Sequence, residues 1–195
     1  IDHIRCIVDN NPKVPSRIKA IIDGHGENPG PCMAEMGQRL EAHGADILVI
    51  ACNTAHNYYP QVQETVNIPV INMIEVVTNQ ITQHFPDKHN IGMLASPAVR
   101  ITNLYAKRFG PFNLNEIWPD DHFQQQLLDI IKSVKKGDTG PEIKQSCLDV
   151  FNHLKDKGAE LAVVACTELS ALDIRLTLPA IDAAQAVAEE IVEIV

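Results

Sequence analysis

LEAHGADILVIACNTAH (residues 40–56) and LKDKGAELAVVACTELS (residues 154–170) are two copies of one pattern. Each reads as the end of a helix, a Gly-Ala-acidic step, a short apolar run closing on Ala, and then a Cys followed by small hydroxyl or amide residues. In both copies the Cys lies eight positions beyond the Gly, Gly44 to Cys52 and Gly158 to Cys166, so the match needs no gap. A second related element follows each one, NIPVINMIE (67–75) and TLPAIDAAQ (177–185). A Gly just after helical periodicity is a helix stop, and an apolar run without polar alternation is the mark of a strand buried on both faces of a parallel sheet. The duplication therefore predicts two similar lobes facing each other across a cleft, each offering one thiol at the carboxyl end of a strand.

The rest of the chain fits an α/β fold in which each lobe is a mainly parallel sheet flanked by helices, with the active site in the cleft between them. Strands are predicted at IRCIVD (4–9), DILVIA (46–51), PVINM (69–73), NIGMLA (90–95), LNEIW (114–118), ELAVVA (160–165) and LPAID (178–182). Helical spacing of Met33, Met36 and Leu40, and of Ile143, Cys147, Val150, Phe151 and Leu154, predicts helices over 31–43 and 141–157, each feeding a strand. Further helices are predicted at 58–66, 74–85, 98–109, 120–136 and 183–194. The polar stretch FPDKHN (85–90), with its central Pro, divides the chain. Residues 1–86 are expected to form the first lobe, 87–182 the second, and 183–195 a C-terminal helix packing back on the first.

The chain has 195 residues, 45% of them hydrophobic, which is enough for one large domain or two small lobes. Its 25 acidic residues against 16 basic, a net charge of −9, leave no domain-wide basic surface for nucleic acid or an anionic membrane, so neither is expected as a partner. An anionic ligand must be held by local positive groups. No apolar run approaches the roughly 20 residues a membrane span needs, and the start IDHIRCIVDNNP has no secretory h-region, so a cytoplasmic location is expected. The five cysteines show no CxxC spacing, and reduced thiols are expected rather than disulfides or zinc.

Cys6, Cys32 and Cys147 fall inside predicted elements without a matching polar context and read as small apolar filler. Cys52 and Cys166 differ, because each is followed by polar residues (Asn53-Thr54, Thr167-Glu168) at the strand end where ligands collect in parallel sheets. A helix start at each position is expected to lower the thiol pKa from about 8.5 and to favour a carboxylate nearby. Two equivalent thiols call for a reaction that uses two equivalent groups. His56 reads as a helix-start residue.

At ACNTAH (51–56) and ACTELS (165–170) the sequence resembles the aspartate/glutamate racemase superfamily, whose members carry CNT and CTE or CTH motifs in opposed lobes. IVDNNPKVPSR (7–17), an Asn-Asn-Pro followed by Arg, is similar to the aspartate-racemase branch, and WPDDHFQQQLLDIIKSVKKGD (118–138) matches the family's Pro-acidic segment, helix and basic-Gly ending. The resemblance implies an isomerase that inverts the α-carbon of aspartate without cofactor, one thiolate removing a proton from one face while a thiol delivers another to the opposite face. Within the same superfamily, the alternatives are a glutamate or broad-specificity racemase, a maleate isomerase, a hydantoin racemase or an arylmalonate decarboxylase. From another class, the alternative is a non-catalytic module that binds a small carboxylate.

Carried over by resemblance, Cys52 and Cys166 are the catalytic pair, and Asn53, Thr54 and Thr167 bind the α-carboxylate and amine of an acidic amino acid. Asn11 and Ser96 are further substrate contacts, and Glu168 orients a thiol or binds the ammonium. Arg17 grips the side-chain carboxylate, with Lys135 (or, failing it, Lys136) as a second cation. No metal is implied, and relatives imply a homodimer. Two departures stand out. The chain begins after the family's N-terminal strand and Gly-rich GGMGP-like loop: either that start was removed, or the lobe lacks a strand and is expected to expose the edge of its sheet. In the second lobe Ala95-Ser96-Pro97-Ala98-Val99 replaces a Thr-rich turn, with Val99 where a substrate-contacting Thr is expected.

Overall fold

The computed structural model describes residues 3–195. Its strands are β1 (Leu48–Val49), β2 (Val70–Ile71), β3 (Asn90–Ala95), β4 (Asn115–Ile117), β5 (Leu161–Ala165) and β6 (Ala180–Asp182). The helices are α1 (Gly30–Ala42), α2 (Tyr59–Gln63), α3 (Met73–His84), α4 (Pro97–Ile101), α5 (Leu104–Phe109), α6 (Asp121–Lys135), α7 (Pro141–Asp156), α8 (Thr167–Ser170) and α9 (Ala183–Ile194). Every ladder is parallel: β1 pairs with β2, and a four-stranded sheet runs in the order β4-β3-β5-β6.

The duplicated sequence is a duplicated structure. Gly44 and Gly158 both take left-handed backbone (φ 87° and 92°), which only glycine adopts freely, and the next N–H turns back onto the helix, Ala45 to Leu40 O and Ala159 to Leu154 O, each at 3.1 Å. Leu48 pairs with Val70 and donates to the Pro69 carbonyl at 2.9 Å. Its counterpart Ala162 pairs with Ala180 and donates to the Pro179 carbonyl at the same distance. Asn72 then caps α3 through Ile74 N–H (3.1 Å), and Asp182 caps α9 through Ala184 N–H (2.9 Å).

Alternation within β3 and β5 sorts the core. Ile91, Met93, Ala95, Leu161, Val163 and Ala165 face α3, α5 and α9, while Leu94 and Ala162 face α6 and α7. The α9 helix packs along α3 as well as on β5 and β6. A smaller core joins Met33 of α1, Leu48, Tyr58, Val62 and Val70, and Cys52 packs against it.

Four expectations are corrected. Residues 4–9 form no strand: no ladder pairs with them among the described residues, and Ile4 to Val8 are exposed, because a strand exists only through a neighbour that takes its hydrogen bonds. The helix expected over 98–109 breaks into α4 and α5 at Asn103, whose φ of 53° cannot continue a right-handed helix. The helix expected over 58–66 is a 3₁₀ turn (Thr54–Tyr58) followed by the short α2. Cys6 is exposed rather than buried filler, and Cys32 is half-buried. Cys147 is buried as expected, and burial pushes its thiol pKa up to about 11. No helix of the described residues is long and apolar enough to cross a membrane.

Candidate active site

Cys52 leaves β1 with its N–H on the Ile50 carbonyl (2.7 Å) and enters the 3₁₀ turn. Cys166 leaves β5 and caps α8 in extended backbone. Both thiols are half-buried. Cys166 Sγ donates to Glu168 Oε2 at 3.0 Å, and Glu168 Oε1 meets Lys135 Nζ of α6 at 3.2 Å. Burial pushes the Cys166 thiol far above the ordinary thiol range, the Glu168 carboxylate adds to this, and Cys52 adds a smaller electrostatic contribution. Burial on its own would raise Glu168, but the bond from the Cys166 thiol and the Lys135 ammonium outweigh it and hold the carboxyl below its ordinary value.

The expectation of a lowered thiol pKa is therefore overturned at Cys166. The four-residue α8 supplies little dipole, and the group facing the sulfur is a carboxylate. Cys166 is held as a proton-bearing thiol.

Across the cleft, Thr54 Oγ1 and Ser96 Oγ lie 3.1 Å apart, joining the Cys52 turn to the start of α4. Asn53 is almost fully buried and accepts from the Tyr105 hydroxyl at 2.6 Å. Thr167 is the half-buried first residue of α8. Cys52, Asn53, Thr54, Ser96, Cys166, Thr167 and Glu168 thus lie just beyond the ends of β1, β3 and β5, and Lys135 reaches Glu168 from the end of α6.

Asn11 and Arg17 are not tied to this group by any hydrogen bond. Asn11 Oδ1 accepts from Lys13 N–H (3.0 Å), and its amide lies 3.6 Å from Cys32 Sγ. Arg17 is half-buried before a π-helical turn (Ile18–Ile22) that packs on α4, and it makes no ion pair among the described residues. Lys136 is exposed at the end of α6. Val99 is fully buried in the core, so the residue at this position packs rather than meeting substrate.

His56 is structural. Met73 N–H donates to its Nε2 at 3.1 Å, which leaves Nδ1 to carry the proton and donate to the Cys52 carbonyl at 2.9 Å. Burial lowers its pKa below 6.5, so the unfolded chain takes up this proton more readily than the folded one. Its contribution to stability is complete above about pH 6.5 and is lost as the pH falls toward the lower folded value. Melting temperature should drop between pH 7.5 and pH 5.5, and the drop should shrink in His56→Gln. An unchanged pH dependence in that variant would assign the effect elsewhere.

Two residues at the site escape sequence reading. Tyr105 reads as one more apolar residue of a helix. Gln124 of α6 donates to the Ala95 carbonyl (3.1 Å) while its buried Oε1 has no partner among the described residues. Nothing local in the sequence marks either.

The Asp/Glu/Hydantoin racemase family profile matches residues 2–191. The broad specificity amino-acid racemase RacX of Bacillus subtilis (strain 168) is 26% identical over 176 residues, 89% of this chain and 70% of that protein. The Picrophilus torridus aspartate racemase structure superposes with a TM-score of 0.86 at 25% identity, covering 98% of this chain and 79% of its own. A glutamate racemase from Campylobacter jejuni subsp. jejuni has the same fold, with a TM-score of 0.64 at 20% identity, covering 85% of this chain and 69% of its own.

Proposed function

This chain belongs to the Asp/Glu/Hydantoin racemase family of isomerases, and from that membership we propose that it interconverts L- and D-aspartate by moving protons at the α-carbon between Cys52 and Cys166. The observation that carries the reading is the matched placement of the pair: the half-buried Cys166 thiol donates to Glu168 at 3.0 Å at the end of β5, and Cys52 stands at the equivalent place of the other repeat copy, after β1. A racemase needs one acid and one base on opposite faces of the carbon. With Cys166 held as the acid, Cys52 as thiolate removes the α-proton, and Cys166 delivers its own proton to the other face. The products are the opposite enantiomer, a Cys52 thiol and a Cys166 thiolate, from which the reverse reaction starts.

Glu168 and Lys135 tune this exchange. The carboxylate raises the cost of a Cys166 thiolate, and the ammonium offsets part of that charge. Asn53, Thr54, Ser96 and Thr167 are the donors assigned to the amino-acid head. Arg17 and Asn11 are assigned to the side-chain carboxylate, a guanidinium being suited to bidentate binding. A second reading, turnover of a wider range of amino acids, is favoured by the likeness to RacX.

Incubation of each enantiomer of aspartate in heavy water tests both. The expected result is solvent deuterium in the newly formed enantiomer while recovered substrate stays unlabelled early on, as two separate bases require. Label appearing first in recovered substrate would indicate one base. A panel of other amino acids turned over as fast as aspartate would establish the broader range. Stabilisation against heat by aspartate with neither turnover nor exchange would make the chain a binding module.

A further inference from the structure

Asn53 lies beside Cys52 and is 2% exposed, yet its Nδ2 has no hydrogen-bond partner among the described residues. A buried amide donor without a partner is costly, so its presence asks for an acceptor that arrives from outside. The other end of the amide is fixed. Tyr105 of α5 is fully buried, packs against Phe109 with ring centroids 5.4 Å apart, and spends its single hydroxyl hydrogen on Asn53 Oδ1 at 2.6 Å.

An amide turned the other way would leave both Oδ1 and the phenol hydrogen unpaired. Burial and the nearby Asp182 and Glu116 charges keep the phenol protonated, so the donor persists throughout the neutral range.

From this geometry we infer that Tyr105 is a positioning residue, which from the second half of the chain locks the Asn53 amide so that its nitrogen stays an uncommitted donor for a carboxylate oxygen of the substrate. The inference rests on the racemase reading above. Together with the Thr54–Ser96 contact, the phenol also pins the two residues after Cys52 to the α4–α5 segment. The Cys52 turn is thereby held at two side chains from the opposite wall.

The test is a double-mutant cycle on Tyr105→Phe and Asn53→Ala, measured as kcat and KM for aspartate in both directions. Tyr105→Phe alone should lower kcat/KM about tenfold, mainly through KM, because the amide then turns freely. In the Asn53→Ala background the same substitution should add less than about twofold, since there is no amide left to orient. An equal, multiplicative loss in both backgrounds overturns the inference, as does a Tyr105→Phe enzyme with unchanged KM.

If the wild type neither turns over nor binds aspartate, the racemase reading fails and the lock is judged on its own. The 15N relaxation of the Asn53 side-chain NH2 group should report an immobile amide in the wild type and a mobile one in Tyr105→Phe. Identical relaxation in the two proteins rejects it. Should Tyr105→Phe fail to fold, a wild-type Asn53 amide that relaxes as a mobile group rejects the lock, and an immobile one supports it.

Discussion

Alanine at Cys52 or at Cys166 is expected to lower turnover of both enantiomers by roughly 10²–10⁴-fold, the range that a positioned acid or base contributes. The two losses should be alike in both directions, because each thiol is the base in one direction and the acid in the other. They should not multiply in the double variant, since removing either partner already breaks the exchange. Binding should survive, because aspartate is assigned to other donors, and it can be read as stabilisation against heat. Cys147→Ala is the control. That thiol is buried among Val150, Phe151 and Leu154, its pKa pushed up to about 11 by burial, and its loss should affect stability rather than rate. Full activity in either single alanine variant at position 52 or 166 would end the two-thiol mechanism.

Phe151→Ala should destabilise the protein by about 3–5 kcal/mol, the cost of emptying a large aromatic from a close-packed core. Phe151 is 1% exposed on α7, among Leu94, Leu127, Ile130 and Leu154, where α6 and α7 cover one face of the four-stranded sheet. For a chain of this size the loss corresponds to a fall in melting temperature of about 10 °C. The consequence reaches the site because α6, which packs on α7, carries Lys135 toward Glu168. Phe151→Leu, which keeps most of the volume, should recover most of the stability. Calorimetry on the two variants checks both statements, and a shift of only a degree or two in Phe151→Ala would mean that the cavity collapses freely.

The Gly-to-Cys repeat was enough to read the parallel α/β architecture, because each of its parts has a local physical cause. A left-handed glycine ends each helix, an apolar run makes each strand, and Asn72 and Asp182, at matching places in the second elements, cap the helices that follow. What escaped depends on distant partners. IRCIVD has strand composition, but without a neighbouring ladder it stays outside the sheets. Asn103 breaks its helix because Asn tolerates a left-handed conformation, a preference too weak to predict from the sequence.

The gathering of Cys52, Asn53, Thr54, Cys166, Thr167 and Glu168 at strand ends followed from the repeat. The state of the Cys166 thiol did not, since it is set by burial and by Glu168 folding back onto the sulfur, with Lys135 reaching in from α6. Tyr105 lies 52 positions from Asn53, and no spacing rule links the two.

The bonds that span the cleft also bear on how the protein is expected to assemble. Thr54 meets Ser96 across 42 positions and Asn53 meets Tyr105 across 52, whereas the helix stops and caps close within a handful of residues. Closing a long stretch of chain costs more entropy than a short one, and contacts so far apart in sequence form late. Helix stops and caps can therefore form early, while the Thr54–Ser96 and Asn53–Tyr105 bonds, like the β3–β5 ladder that pairs Ile91 with Leu161, are expected to wait until distant parts of the chain have met.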